Sequence, residues 1–136
     1  MYQIDLNKEQ RDHLNIAICL AINDMYNCAT SPAWNIGDEY AADGALKLFR
    51  ARDQLDAIRD RVFERPFVLK DSQELEIINY ALIAAALCID RLANSFVWCI
   101  ADINQEPSVR QMKARSQELF SSFRNIEMEI FIQTQK

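Results

Sequence analysis

The segment DSQELEIINYALIAAALCID, residues 71–90, decides the fold. Asp71 and Glu74 stand three residues apart at its start. At that spacing an N-cap side chain and its capping-box partner satisfy the first free N–H groups of a helix. Behind them Leu75, Ile78, Leu82, Ala85, Ile89, Leu92, Phe96, Cys99 and Ile103 recur every three or four residues, which predicts a helix over about 71–103. From Tyr80 to Ile89 ten consecutive residues are apolar, the Tyr80 hydroxyl being the only polar side-chain group between Asn79 and Asp90. About three turns, ~15 Å of helix, therefore have no side suited to water. A membrane span needs ~20 such residues, and Asp90-Arg91 cut this run short, so a buried core helix is expected.

Three further helices are predicted around it. The first, about 7–27, opens on Asn7 with Gln10 as its capping-box partner, and Leu14, Ala17, Ile18, Ala21 and Met25 line one face. The second, about 38–64, begins at Asp38 and stops before Pro66, because a residue preceding proline avoids the α region. Its stripe is Ala41, Gly44, Leu48, Ala51, Leu55, Ile58 and Val62, small in its first half, where a neighbour can approach closely or space is left for something else. The last, about 108–133, follows Pro107, has Ser108 and Gln111 as a cap pair, and carries the stripe Val109, Met112, Ser116, Leu119, Phe123, Ile126 and Ile130, widened by Phe120 and Phe131. Two glycines and three prolines in 136 residues leave little material for the turns of an all-β fold or for a glycine-rich phosphate loop. The expected architecture is one all-α domain over 1–136, an antiparallel up-down bundle of four main helices.

The third helix exceeds what such a bundle covers, since each helix of a monomeric bundle keeps one wet face. Either the N-terminal strap (Tyr2, Ile4, Leu6) and the interhelical breaks cover the surplus, or a second chain does. A homodimer through the third or fourth helix is expected, because large apolar patches mark interfaces.

Charge narrows the partners. The formal net charge is −5, from 15 basic and 20 acidic side chains. Residues 1–46 hold two basic and seven acidic side chains, residues 47–70 seven and four, and residues 71–136 six and nine. Direct nucleic-acid binding needs clustered basic charge and is not expected, nor is an anionic membrane surface. The N-terminus MYQID lacks a basic and apolar leader. Cys19, Cys28, Cys88 and Cys99 form no CxxC pair, three of them lie in apolar helical stretches, and a reducing, cytoplasmic setting is expected.

Catalytic constellations are scarce. The one histidine, His13, has no Glu three residues before it, as di-iron bundles require, and no Arg at the spacing found in helical HEPN-type ribonucleases. It reads as a solvated side chain, with no Ser or Cys placed beside it by the sequence. Asp53, Asp56 and Asp60, with Glu64, fall at spacings of three and four and share a helical face. Such a face holds Mg²⁺ beside a phosphate in all-helical pyrophosphatases, but the second acidic motif on a facing helix is missing. The same run contains Arg52 and Arg59, at pairing distance from these carboxylates.

Asp90-Arg91 and Asn94 interrupt the apolar helix, and a charge buried there needs a partner on another helix. If they lined a pocket, Arg52, Arg59 and Arg91 would meet phosphate while Tyr80 or Trp98 stacked on a base, which would make a nucleotide binder. Two breaks carry apolar residues surplus to a turn: Trp34 in the first, and Phe67, Val68 and Leu69 in the second. They either fold back as lids over the bundle ends or serve as protein-contact anchors, and they lie at opposite ends of the bundle. No cofactor is implied. The reading that follows is a cytosolic interaction protein that inhibits or organises a partner protein.

Overall fold

The structure, a computed structural model, describes residues 1–34 and 39–135. Its element order is β1 (Tyr2–Ile4), α1 (Lys8–Ala29), a 3₁₀ helix (Pro32–Trp34), α2 (Glu39–Arg59), β2 (Phe67–Leu69), α3 (Ser72–Ala93), a second 3₁₀ helix (Phe96–Gln105) and α4 (Pro107–Thr134). This is the expected all-α bundle of four main helices, with a two-stranded sheet added. α1 and α3 pack on each other, with α2 mainly against α1 and α4 mainly against α3.

The helix starts follow local chemistry. At α1 both capping-box bonds form: the Gln10 N–H donates to Asn7 Oδ1 at 2.8 Å, and the Asn7 N–H to Gln10 Oε1 at 2.9 Å. At α3 the Glu74 N–H donates to Asp71 Oδ1 at 2.9 Å, but the Glu74 carboxylate turns to the Lys70 N–H at 2.7 Å and to Arg61. α4 starts one residue earlier than expected. Its N-cap position is Glu106, and no side chain caps it.

One continuous core joins the faces. Leu14, Ala17, Ile18 and Ala21 of α1 meet Ile78, Leu82, Ala85 and Ile89 of α3, and Phe123, Ile126 and Ile130 of α4 close the far side. α2 contributes only Leu55 and Ile58, followed by Val62 in the turn beyond it. The small half of its stripe is not in the core. The expected start of this helix, Asp38, lies outside the described residues. Met112, Phe120 and Phe131 of α4 stay exposed instead of widening the core.

Three expectations are corrected here. The second helix ends at Arg59, not near residue 64, because turns at 60–66 lead through a cis Arg65–Pro66 bond into β2. The third helix does not run to 103. Asn94 takes the C-cap position, its N–H bonding the Asp90 carbonyl at 3.1 Å, and the chain continues as a 3₁₀ helix. Within that helix Ala101 has φ 51°, a left-handed conformation that costs an L-residue roughly 1–2 kcal/mol.

The third correction concerns Phe67 and Leu69, which are fully buried and are not contact anchors. They alternate inward from β2, which pairs antiparallel with β1 so that Tyr2 faces Leu69 and Ile4 faces Phe67. Val68, pointing the other way, is half-buried.

The strap is held by polar bonds that the sequence did not announce. Arg11 is buried, and its guanidinium donates to the carbonyls of Leu6 at 2.9 Å, Val62 at 2.6 Å and Glu64 at 2.7 Å. Arg61 donates to the Val68 carbonyl and to Glu74, both at 2.6 Å. The Gln133 side chain brackets the Asp5 backbone, accepting from its N–H at 2.7 Å and donating to its carbonyl at 2.8 Å. Arg11→Met would leave the three carbonyls without their charged donor and lower stability by on the order of 3 kcal/mol. Phe67→Ala would lower it by about 3–5 kcal/mol, the size of a core truncation. Urea unfolding monitored by circular dichroism checks both.

Candidate functional site

The end of α1 builds the first site. α1 closes at Thr30, whose N–H and hydroxyl both donate to the Tyr26 carbonyl, and the chain turns back through Pro32–Trp34. The Trp34 indole N–H donates to the Cys28 carbonyl at 2.6 Å. The same carbonyl accepts the Ser31 N–H at 3.4 Å, and the indole adds a second, shorter bond that fixes the ring at the helix end. The ring remains 51% exposed, on the rim of a cavity of about 550 Å³.

Ala29, Tyr40, Ala41, Gly44, Ala45 and Leu48 form much of its wall. The small residues that the sequence left unexplained therefore open a space beside Trp34. A Cβ built on Gly44 meets nothing within 4 Å, so this part of the helix faces the opening and not a neighbour.

The second feature is the outward side of α3. Tyr80 is 61% exposed and Leu87 50%, with Ile83 between them. Asp90 and Arg91 are exposed too, and no buried ion pair forms at these positions. Asp90 instead receives the Asn94 side chain, 3.1 Å from its carboxylate. Beyond Asn94 the 3₁₀ helix exposes Phe96 at 89%, with Val97 and Ile100. Trp98 is partly covered, its indole N–H donating to the Leu92 carbonyl at 2.6 Å. The segment Ser72–Ala101 is long and apolar enough to cross a membrane by composition alone, although α3 packs its inner side into the core.

The residues proposed for a nucleotide are dispersed. Tyr80 and Arg91 are on the outer side of α3, whereas Arg52 and Arg59 are on α2. Arg52 pairs with Asp53 at 3.2 Å and lies over the Phe49 ring, 4.9 Å from its centroid. Arg59 pairs with Asp56 and reaches Cys19 Sγ at 3.7 Å, a contact that holds its guanidinium proton more tightly. Asp60 lies past the end of α2, so the acidic face is interrupted there. Among the described residues no group of three or more His, Cys, Asp or Glu side chains is placed to hold a metal ion.

His13 is where the sequence misled most. It is half-buried in a polar cleft of about 740 Å³ between α1 and α4, with Nδ1 2.5 Å from Ser122 Oγ. The two residues are 109 apart in sequence, and no local pattern announces the pair. Glu9, Gln10, Arg115, Glu118 and Asn125 share the cleft. Among the described residues no carboxylate is paired with the His13 ring, so the third member of a nucleophilic triad is not assembled.

Compared with known proteins, the sequence matches no family model, no curated protein and no solved structure.

The four cysteines are free thiols. Cys19, Cys28 and Cys99 are exposed and Cys88 is half-buried. Burial pushes the Cys88 thiol above its ordinary pKa, and nearby Asp24 adds to the effect. The thiolate is the reactive form, so alkylation of Cys88 at neutral pH is slowed by the raised pKa as well as by its cover. Peptide mapping after brief iodoacetamide treatment at neutral pH is expected to show Cys19, Cys28 and Cys99 modified first. A change that opens the α3 surface would bring Cys88 forward.

Proposed function

We propose that this protein is an interaction module that binds a partner protein through the cavity beside Trp34, and that by occupying the partner it blocks or organises it. The observation that carries the reading is the Trp34 ring itself: half-exposed, anchored by its indole N–H, and set over an apolar space. A fixed aromatic edge beside a preformed apolar pocket is the usual form of a binding hot spot, because little side-chain entropy remains to be lost on docking. A cavity of about 550 Å³ accepts one large apolar or aromatic side chain from a partner with room for its backbone. Of the described residues lining the cavity only Lys47 is charged, and it pairs with Asp43 at 3.0 Å, so apolar burial and not charge carries the contact. A cytoplasmic setting belongs to the same proposal, on the grounds of the cysteine usage.

Two variants test it without touching the core. Trp34→Ala removes the rim, and Gly44→Leu fills the space that a Cβ leaves empty while improving helix propensity. Immobilised wild-type chain is expected to retain a protein from a cell extract that both variants lose at least tenfold, while circular dichroism shows both variants folded. Equal retention by all three chains would overturn the reading. A rise in melting temperature with a nucleotide would transfer the function to a small ligand.

A further inference from the structure

The exposed stripe of α3 is complementary to itself, and we propose that it docks on the same stripe of a second copy of this chain, antiparallel, about a two-fold axis between Ile83 and Ala84. The stripe is Glu76, Tyr80, Ile83, Leu87 and Arg91, at helical spacings of four, three, four and four, so these residues share one side of α3. All five are exposed. The charges close the apolar run at its two ends with opposite signs, and among the described residues neither Glu76 nor Arg91 forms a salt bridge within the chain.

An isologous interface sets residue i against residue j and j against i. With the axis between Ile83 and Ala84, Tyr80 meets Leu87 of the second copy and Glu76 meets its Arg91. Each charge lies about 11 Å along the helix from the axis, in opposite directions, so the two contacts form together at 1.5 Å rise per residue. Ala84, beside the axis, is small enough for the helices to approach to about 8–10 Å. A parallel arrangement would set Glu76 on Glu76 and Arg91 on Arg91, which costs like-charge repulsion at both ends. The charge pattern therefore selects the second copy and its direction together. The pairing also covers the side of α3 for which the described residues supply no neighbour. It stands independently of the reading of Trp34.

Sedimentation velocity at about 100 µM, a concentration that populates even a micromolar association, reads the outcome. The wild-type chain is expected to sediment as a dimer. Glu76→Arg alone and Arg91→Glu alone each place like charges at both ends of the interface, and each is expected to raise the dimer Kd at least thirtyfold. Mixing the two single variants restores opposite charges at both contacts, so a one-to-one heterodimer forms. The double variant regains a homodimer within about threefold of the wild-type Kd, whereas in a parallel arrangement like charges already meet at both ends and neither single reversal would weaken it. Both positions are exposed, and an unchanged melting temperature confirms that each variant is folded. A monomeric wild-type chain overturns the proposal, as do single variants that dimerise like wild type, or loss that neither mixing nor the double variant repairs. Flotation of the wild-type chain with phosphatidylcholine vesicles, in place of dimerisation, assigns the stripe to a lipid surface and overturns it as well.

Discussion

A helix that is apolar on all sides cannot be covered by three neighbours in a four-helix bundle, and the architecture follows from how α3 meets that constraint. Its inner side takes Ile78, Ala81, Leu82, Ala85, Ala86 and Ile89 out of water against α1 and α4. At roughly 25 cal/mol per Å² of apolar surface, these residues supply much of the driving force for the bundle. The outer side has no such neighbour among the described residues. Tyr80, Ile83 and Leu87 remain in contact with solvent between a glutamate at one end and an arginine at the other. The same excess that builds the core leaves an exposed apolar surface bounded by opposite charges.

The bundle ends depend on polar chemistry of another kind. α2 brings only Leu55 and Ile58 to the core, so hydrophobic burial alone holds it weakly. Arg11 compensates by gathering carbonyls from the strap and from the turn after α2, and Arg61 ties that turn to β2 and to the first turn of α3. Planar guanidinium groups suit this work because one side chain answers several carbonyls that would otherwise be buried without donors. At the opposite end the α1–α2 connection is held more lightly. There the indole of Trp34 closes the last turn of α1 while half of its ring stays in water. One end of the molecule is locked and the other is built around a space.

Most of the fold was legible because its signals are local. The Asn7–Gln10 box, the Asp71 cap and the three-four spacing of Leu14, Ile18, Leu82 and Ile126 depend on neighbours within two turns. The misreadings share the opposite property. Phe67 and Leu69 looked like surplus apolar residues in a break, because their partner strand lies more than 60 residues earlier, at Tyr2–Ile4. Asp90 and Arg91 looked buried because the residues before them are apolar, yet the helix ends three residues later and leaves them in water. The Trp34 cavity was half legible. Trp34 and the small residues of α2 were each singled out, but their meeting required the α1–α2 connection to fold back. The closeness of His13 and Ser122 left no trace in the sequence.

By itself, then, the sequence determined that the chain is helical, where the first and third of its four helices begin, and that the third helix carries more apolar surface than a bundle can bury. Each of these rests on hydrogen bonds and side-chain spacings within a single helix, which the chain carries wherever it lies in space. Only the tertiary structure decided which apolar residues are spent on the core and which are left exposed. Burial of a side chain depends on what stands opposite it, and at Phe67, Leu87 and Trp34 that is set by chain segments far away in sequence, or by none.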